Sequence, residues 1–124
     1  MAKGTITIKR SSGTYDQLWY VNSDGYPQGD LGEDIFKYLK TTNDVERAVV
    51  IFRKEECYSI LETSLMFGEE KSIKPILNQG NDYSYVFDEK TGKWGFYEYK
   101  KNKLKDLEAE LKKKDDEDDD SIGG

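Results

Sequence analysis

Two pairs of alternating segments, one near each end of the chain, enclose a middle third in which apolar residues recur at three and four. That arrangement predicts an α+β fold: an antiparallel sheet of about four strands, built as two hairpins, with short helices on one face. No strand–helix–strand alternation argues for a parallel sheet. The 124 residues suffice for one core, since a chain of this length buries roughly two thirds of its unfolded surface. One domain is expected over 1–114, closing with a helix, and a disordered acidic tail over 115–124.

The elements follow in order. Ile6 and Ile8 alternate with Thr5, Thr7 and Lys9, and Ser11, Ser12 and Gly13 turn the chain into an aromatic strand of Leu18, Trp19, Tyr20 and Val21. Asp24, Gly25, Pro27 and Gly29 are turn residues: Asp closes an Asx-turn, Gly takes positive φ, and Pro presets φ. Asp30 is placed to cap a helix, with Glu33 reaching back from three positions on. Leu31, Ile35, Phe36 and Leu39 then form the apolar face of a helix over 31–40. A second helix starts after Asn43, with Glu46 completing a capping box and Val45, Ala48, Val49 and Phe52 at helical spacing.

Cys57, Ile60, Leu61 and Leu65 recur at three and four, predicting a third helix to about Phe67, with strand alternation at Tyr58 and Ile60 as the competing reading. Gly68 to Asn81, with Pro75 and Gly80, reads as a surface connection holding no more than a turn. Tyr83, Tyr85 and Phe87 then alternate with Ser84 and Val86, and Trp94, Phe96 and Glu98 with Tyr97 and Tyr99. Glu89 to Lys93 joins these strands, with Gly92 at positive φ. Leu104, Leu107 and Leu111 make one stripe of a final helix over 100–113 that packs on the sheet.

The order T-I-T-I, an aromatic strand, D-G-Y-P-x-G, L-G-x-x-I and a late aromatic hairpin is carried by Thr5 to Lys9, Leu18 to Val21, Asp24 to Pro27 with Gly29, Leu31, Gly32 and Ile35, and Tyr83 to Tyr99. It resembles a group of small, poorly characterised proteins of bacteriophages, prophages and other mobile elements. Many of those carry His or Arg and an aromatic before the DGY, where this chain has Asn22 and Ser23. The resemblance implies a mobile-element setting and no particular mechanism.

Composition narrows the chemistry. The chain has no His and one Cys, Cys57, so Ser-His-Asp and Cys-His nucleophiles, an internal disulfide, and zinc fingers or ribbons are excluded. Cys57 reads as a small buried hydrophobe. No Gly-rich phosphate loop is present, and Pro27 occupies the glycine position that an EF-hand built on Asn22 and Asp24 would need. A non-enzymatic protein without cofactor or metal is expected. No apolar run approaches the roughly 20 residues of a membrane span, and MAKGTITIKR lacks a signal-peptide core, so a cytoplasmic protein is expected.

Six of the 25 acids lie in DDEDDD, and the remaining 19 equal the 19 Lys plus Arg, so the net charge of −6 resides in that run. Six like charges in a row resist folding. The function expected is binding of a host protein, as an inhibitor of a host enzyme or antiviral defence complex, through Trp19, Tyr20, Asp24 and Tyr26. The acids Asp115, Asp116, Glu117, Asp118, Asp119 and Asp120 would steer it to a basic surface. The alternative is a single-stranded-DNA-binding protein with a regulatory acidic tail. Its bases would stack on Trp19, Tyr20, Tyr97 and Tyr99 beside Lys9, Arg10, Lys100, Lys101 and Lys103.

Overall fold

The computed structural model describes residues 2–55, 63–65 and 68–113. The chain begins with β1 (Gly4–Lys9) and β2 (Tyr15–Val21), followed by α1 (Leu31–Tyr38), α2 (Thr42–Glu46) and α3 (Ala48–Lys54). Next come β3 (Thr63–Leu65), β4 (Glu69–Glu70), α4 (Lys74–Leu77), β5 (Tyr83–Asp88), β6 (Lys93–Glu98) and β7 (Lys105–Asp106). A helix over 107–113, here α5, closes the described chain. The fold is α+β, but the sheet has seven strands in the order β3-β2-β1-β5-β6-β7, with β4 also pairing β2.

Both expected hairpins form, β1 with β2 and β5 with β6, and each is antiparallel. The expectation of a wholly antiparallel, four-stranded sheet is corrected by the pairing of β1 with β5, which is parallel and in register from Gly4↔Tyr83 to Lys9↔Asp88. β1 is therefore an interior strand covered on both faces. Ile6 and Ile8 turn to the main helical layer and are fully buried with Leu31, Ile35, Leu39, Phe52, Tyr85 and Phe87. Thr5 and Thr7 lie on the opposite face and are just as buried, and neither hydroxyl meets a partner among the described residues. On that second face, beside Thr7, Gln17 exchanges hydrogen bonds of 2.7 and 3.0 Å with Gln79, just past α4.

Two indoles pin the sheet to its helices. Trp19 Nε1 donates to the Val45 carbonyl at 3.1 Å, and Trp94 Nε1 to the Leu39 carbonyl at 2.8 Å. Strand β2 is longer than expected and slips register opposite Ile6 and Thr7, so Leu18 is the extra residue of a bulge.

Several boundaries differ from the sequence reading. Asp30 precedes α1 without a side-chain cap bond, and the capping box of α2 belongs to Thr41 and Asp44 rather than to Asn43 and Glu46. Thr41 Oγ1 accepts from Asp44 N at 3.2 Å while Asp44 accepts from the Lys40 and Thr41 amides. Glu46 is held instead by Arg10 at 2.9 Å. The helix breaks at Arg47 (φ −109°, ψ 20°), giving α2 and α3 in place of one helix.

Residues 63–65, expected in a helix, pair with β2 as an edge strand; the rest of that prediction, with Cys57, lies outside the described residues. The segment expected to hold only a turn contains β4 and α4. Pro75 stands in the first turn of α4, where its missing N–H breaks no helical bond. The last helix starts at 107, not 100, because Lys105 and Asp106 pair with β6 and Lys100 adopts φ 62°. Leu107 joins the core and Leu111 packs against it, as the stripe predicted, whereas Leu104 rests on Gly95 with half its surface exposed. The acidic run lies outside the described residues, and among those no helix is long and apolar enough to cross a membrane.

Candidate functional site

The D-G-Y-P turn is held by backbone bonds at the start of β1 and α1. Asp24 takes a left-handed φ of 58°, Gly25 N donates to the Ala2 carbonyl at 3.1 Å, and Leu31 N and Gly32 N donate to the Asp24 and Tyr26 carbonyls at 3.0 Å. From below, the buried Tyr85 hydroxyl donates to the Gly25 carbonyl. These restraints present Tyr26, which is 49% exposed, with its ring edge-on to Tyr83 at 5.8 Å and 61°.

The hairpin supplies the rest of the site. Tyr83 pairs with Glu98 across β5 and β6. Tyr83 N donates to the Lys3 carbonyl at 3.1 Å, Tyr99 N to the Asp82 carbonyl at 2.9 Å, and Lys3 N to Asp82 Oδ2 at 2.7 Å. At this end of the sheet Ala2, Tyr26, Asp82, Tyr83, Glu98 and Tyr99 line an open concavity of about 390 Å³.

The charge around it is legible in the titrating groups. Burial pushes the Tyr83 phenol above its ordinary value, and Glu98, Tyr26, Asp82 and Glu110 push it further, as expected for a site surrounded by acidic groups. Glu98 is held below the usual carboxylate range by hydrogen bonds from Lys105 at 2.6 Å and Lys101 at 3.0 Å. It is therefore ionised at neutral pH. The arrangement offers aromatic faces and carboxylates together, the chemistry that receives a cationic side chain.

Only Tyr26 of the expected aromatic patch lines this concavity. Trp19 and Tyr20 are consecutive on β2 and point to opposite faces. Trp19, opposite Ile6, packs against the core, and Tyr20, opposite Thr5, donates from its hydroxyl to Asn22 Oδ1 at 3.3 Å. Asp24 serves through its backbone. Asp115, Asp116, Glu117, Asp118, Asp119 and Asp120 lie outside the described residues.

The expected nucleic-acid set divides as well. Burial alone would lower the Arg10 guanidinium, but its bonds to Asp16, Glu46 and Glu89 at 2.8, 2.9 and 3.3 Å outweigh that and raise it, tying two turns to α2. Arg10 is a structural cation. Lys9 lies beside Tyr15 and Asp88 at the other end of β1, while Tyr97, Tyr99, Lys100 and Lys101 do come together, near α4.

Sequence reasoning missed Tyr83, Asp82 and Glu98 as site residues. The signal lay in the hairpin: a loop centred on Glu89 to Gly92 sets Tyr83 opposite Glu98, and the chain past Glu98 brings in Tyr99. Among the described residues no three His, Cys, Asp or Glu side chains gather for a metal ion. No protein-family model matches the chain, and no curated protein or solved structure matches it significantly.

Proposed function

We propose that the protein is a non-catalytic binding protein that docks a basic surface of a partner protein through Tyr26, Tyr83 and Tyr99 with Asp82 and Glu98. The observation that carries this reading is the convergence of three tyrosines and two carboxylates in one open concavity whose backbone is fixed on every side. Tyrosines anchor interfaces well because they bury a large rigid ring at little entropic cost and keep a polar tip. The tyrosine faces receive cationic side chains of a basic partner, and Asp82, which accepts from the Lys3 amide, steers it, while Glu98 is already paired with Lys101 and Lys105 and serves to hold the site together. A host protein met by a bacteriophage or other mobile element is the partner that the D-G-Y-P block suggests, and inhibition of a host enzyme or defence complex is the consequence in that setting.

The test is affinity capture from host lysate with the full chain and with Tyr26→Ala, each with and without nuclease. Tyr26 is exposed, so its truncation should leave the melting temperature nearly unchanged. The expected result is a stoichiometric protein that survives nuclease and is bound at least about 30-fold more weakly by Tyr26→Ala, the scale of an interface anchor. Equal recovery by the variant, or recovery abolished by nuclease, would overturn the proposal.

A further inference from the structure

A second cavity, of about 250 Å³, lies between α4 and the end of β6 and shares Glu98 and Tyr99 with the tyrosine–carboxylate site. Its lining is polar in a particular way. Ser84, on β5, lines it and is 3% exposed. Asn81, 7% exposed, lines it too and donates its amide nitrogen to Gln79 Oε1 at 3.3 Å. Asn78 and Asn102 stand at the same cavity, so donors and acceptors of amide type surround it.

A lining of hydroxyl and amide side chains suits a ligand able to exchange hydrogen bonds with them in both directions. Tyr97 and Tyr99 add flat apolar faces. Lys100, Lys101 and Lys103 follow directly. Lys100 has φ 62° and holds its ammonium 5.4 Å from the Tyr99 ring centre, Lys101 neutralises Glu98, and Lys103 is exposed with no ion-pair partner among the described residues.

We infer that this cavity binds a nucleotide, with the base edge read by Ser84 and Asn81, its face against Tyr97 or Tyr99, and its phosphate on Lys100 and Lys101. Amide side chains pair with the edges of heterocyclic bases in two directions at once, and every base stacks on an aromatic ring. A cavity of about 250 Å³ has room for a single base, below the roughly 300–1,000 Å³ of drug-sized ligand sites. The lysines lie on the exposed side, where a phosphate would remain in water, and Glu98 does not oppose it because Lys101 and Lys105 already pair with that carboxylate. The same chemistry is offered by a free mononucleotide and by one residue of a single strand.

Calorimetric titration of the full chain with AMP, GMP, CMP and UMP, and with 15-residue single-stranded DNA and RNA, tests the inference. Binding of a mononucleotide would identify free nucleotides as sufficient; binding of the oligonucleotides alone would identify a strand as the source. In either case Tyr97→Leu should weaken binding by about tenfold or more, the loss of one stacking platform. Ser84→Ala, which removes one hydroxyl of the lining and should fold as the parent does, should weaken it by several-fold. Lys100→Gln should flatten the salt dependence. Tyr26→Ala should leave it unchanged, which separates this site from the protein-docking site. Absence of binding to every probe, or equal binding by Ser84→Ala and Tyr97→Leu, would overturn the inference.

Discussion

Gly32 shows how closely the D-G-Y-P-x-G-x-L-G block is fitted. A Cβ placed on Gly32 would lie 2.3 Å from the Pro27 carbonyl oxygen and 2.4 Å from its Cα, distances that no relaxed structure tolerates. The neighbour is backbone, so it cannot swing aside as a side chain would. The constraint is steric closeness between the turn and the second residue of α1, and it fixes where Tyr26, one residue before Pro27, emerges. Gly32→Ala is therefore expected to destabilise the protein by roughly 2 kcal/mol or more, through displacement of either the turn or the helix. Gly68→Ala is the control, since no atom of the described residues lies within 4 Å of its added Cβ, and it should change stability by no more than about 0.5 kcal/mol. Chemical denaturation of both variants checks the contrast, and equal midpoints would show that the turn moves freely against α1. At this scale much was legible. Turn residues placed the reversal and the helix start, but the reason for the second glycine appears only when Pro27 is seen above it.

Elements were legible where one periodicity faced one environment. The β5–β6 hairpin and the core face of α1 satisfy that condition, and both form. Residues 63–65 do not: Leu65 sits at helical spacing from Leu61, yet the segment pairs along β2, and pairing partners leave no mark in local spacing. The final helix was overextended for a related reason. Leu104 has the right spacing to Leu107, but Lys105 and Asp106 are drawn into the sheet, and Lys105 bridges Glu98 at 2.6 Å. This bridge couples β7 to the hairpin and carries a pH signature.

Glu98 has a folded-state pKa below its ordinary 4.5. It therefore contributes stability that is fully present above about pH 4.5 and is lost as pH falls through the depressed folded value. Lys105 is raised by the same hydrogen bond, so its contribution persists through neutral pH and is lost only as pH rises through its own folded value. Glu98→Gln should cost about 1 kcal/mol or less at neutral pH, because Lys101 is mostly exposed and screened. The gap between parent and variant should close in strong acid. Denaturation midpoints from neutral pH downward measure it, and a gap that stays constant would show that the loss in the Glu98→Gln variant is one of packing rather than charge.

For the whole molecule, the decisive feature is one that a period of two cannot convey. Alternation at Ile6 and Ile8 is the same whether a strand pairs parallel or antiparallel, and Thr5 and Thr7 look like solvent-facing residues until the second sheet face is found covered. Both facts make β1 the centre of the sheet. It joins β2 on one side and β5, some 80 residues later, on the other. A strand paired on both edges and covered on both faces opens only when the molecule unfolds, whereas β3, β4 and β7 are two or three residues long at the sheet's margins. Native-state hydrogen exchange should therefore show the amides of β1 and β5 exchanging slowest and at a common rate set by global unfolding. Those of β4 and β7 should exchange many-fold faster through local opening. The amides of Tyr83 and Tyr99 belong with the slow class or close to it, since they donate to Lys3 and Asp82 at the sheet end that carries the tyrosine–carboxylate site. A docking surface mounted on such a frame binds without reordering its backbone, which keeps the entropic cost of association to the side chains. If β1 exchanged as fast as β4, the parallel pairing at the centre of the sheet would be wrong, and the two tyrosines from the hairpin would no longer be held beside the turn that presents Tyr26.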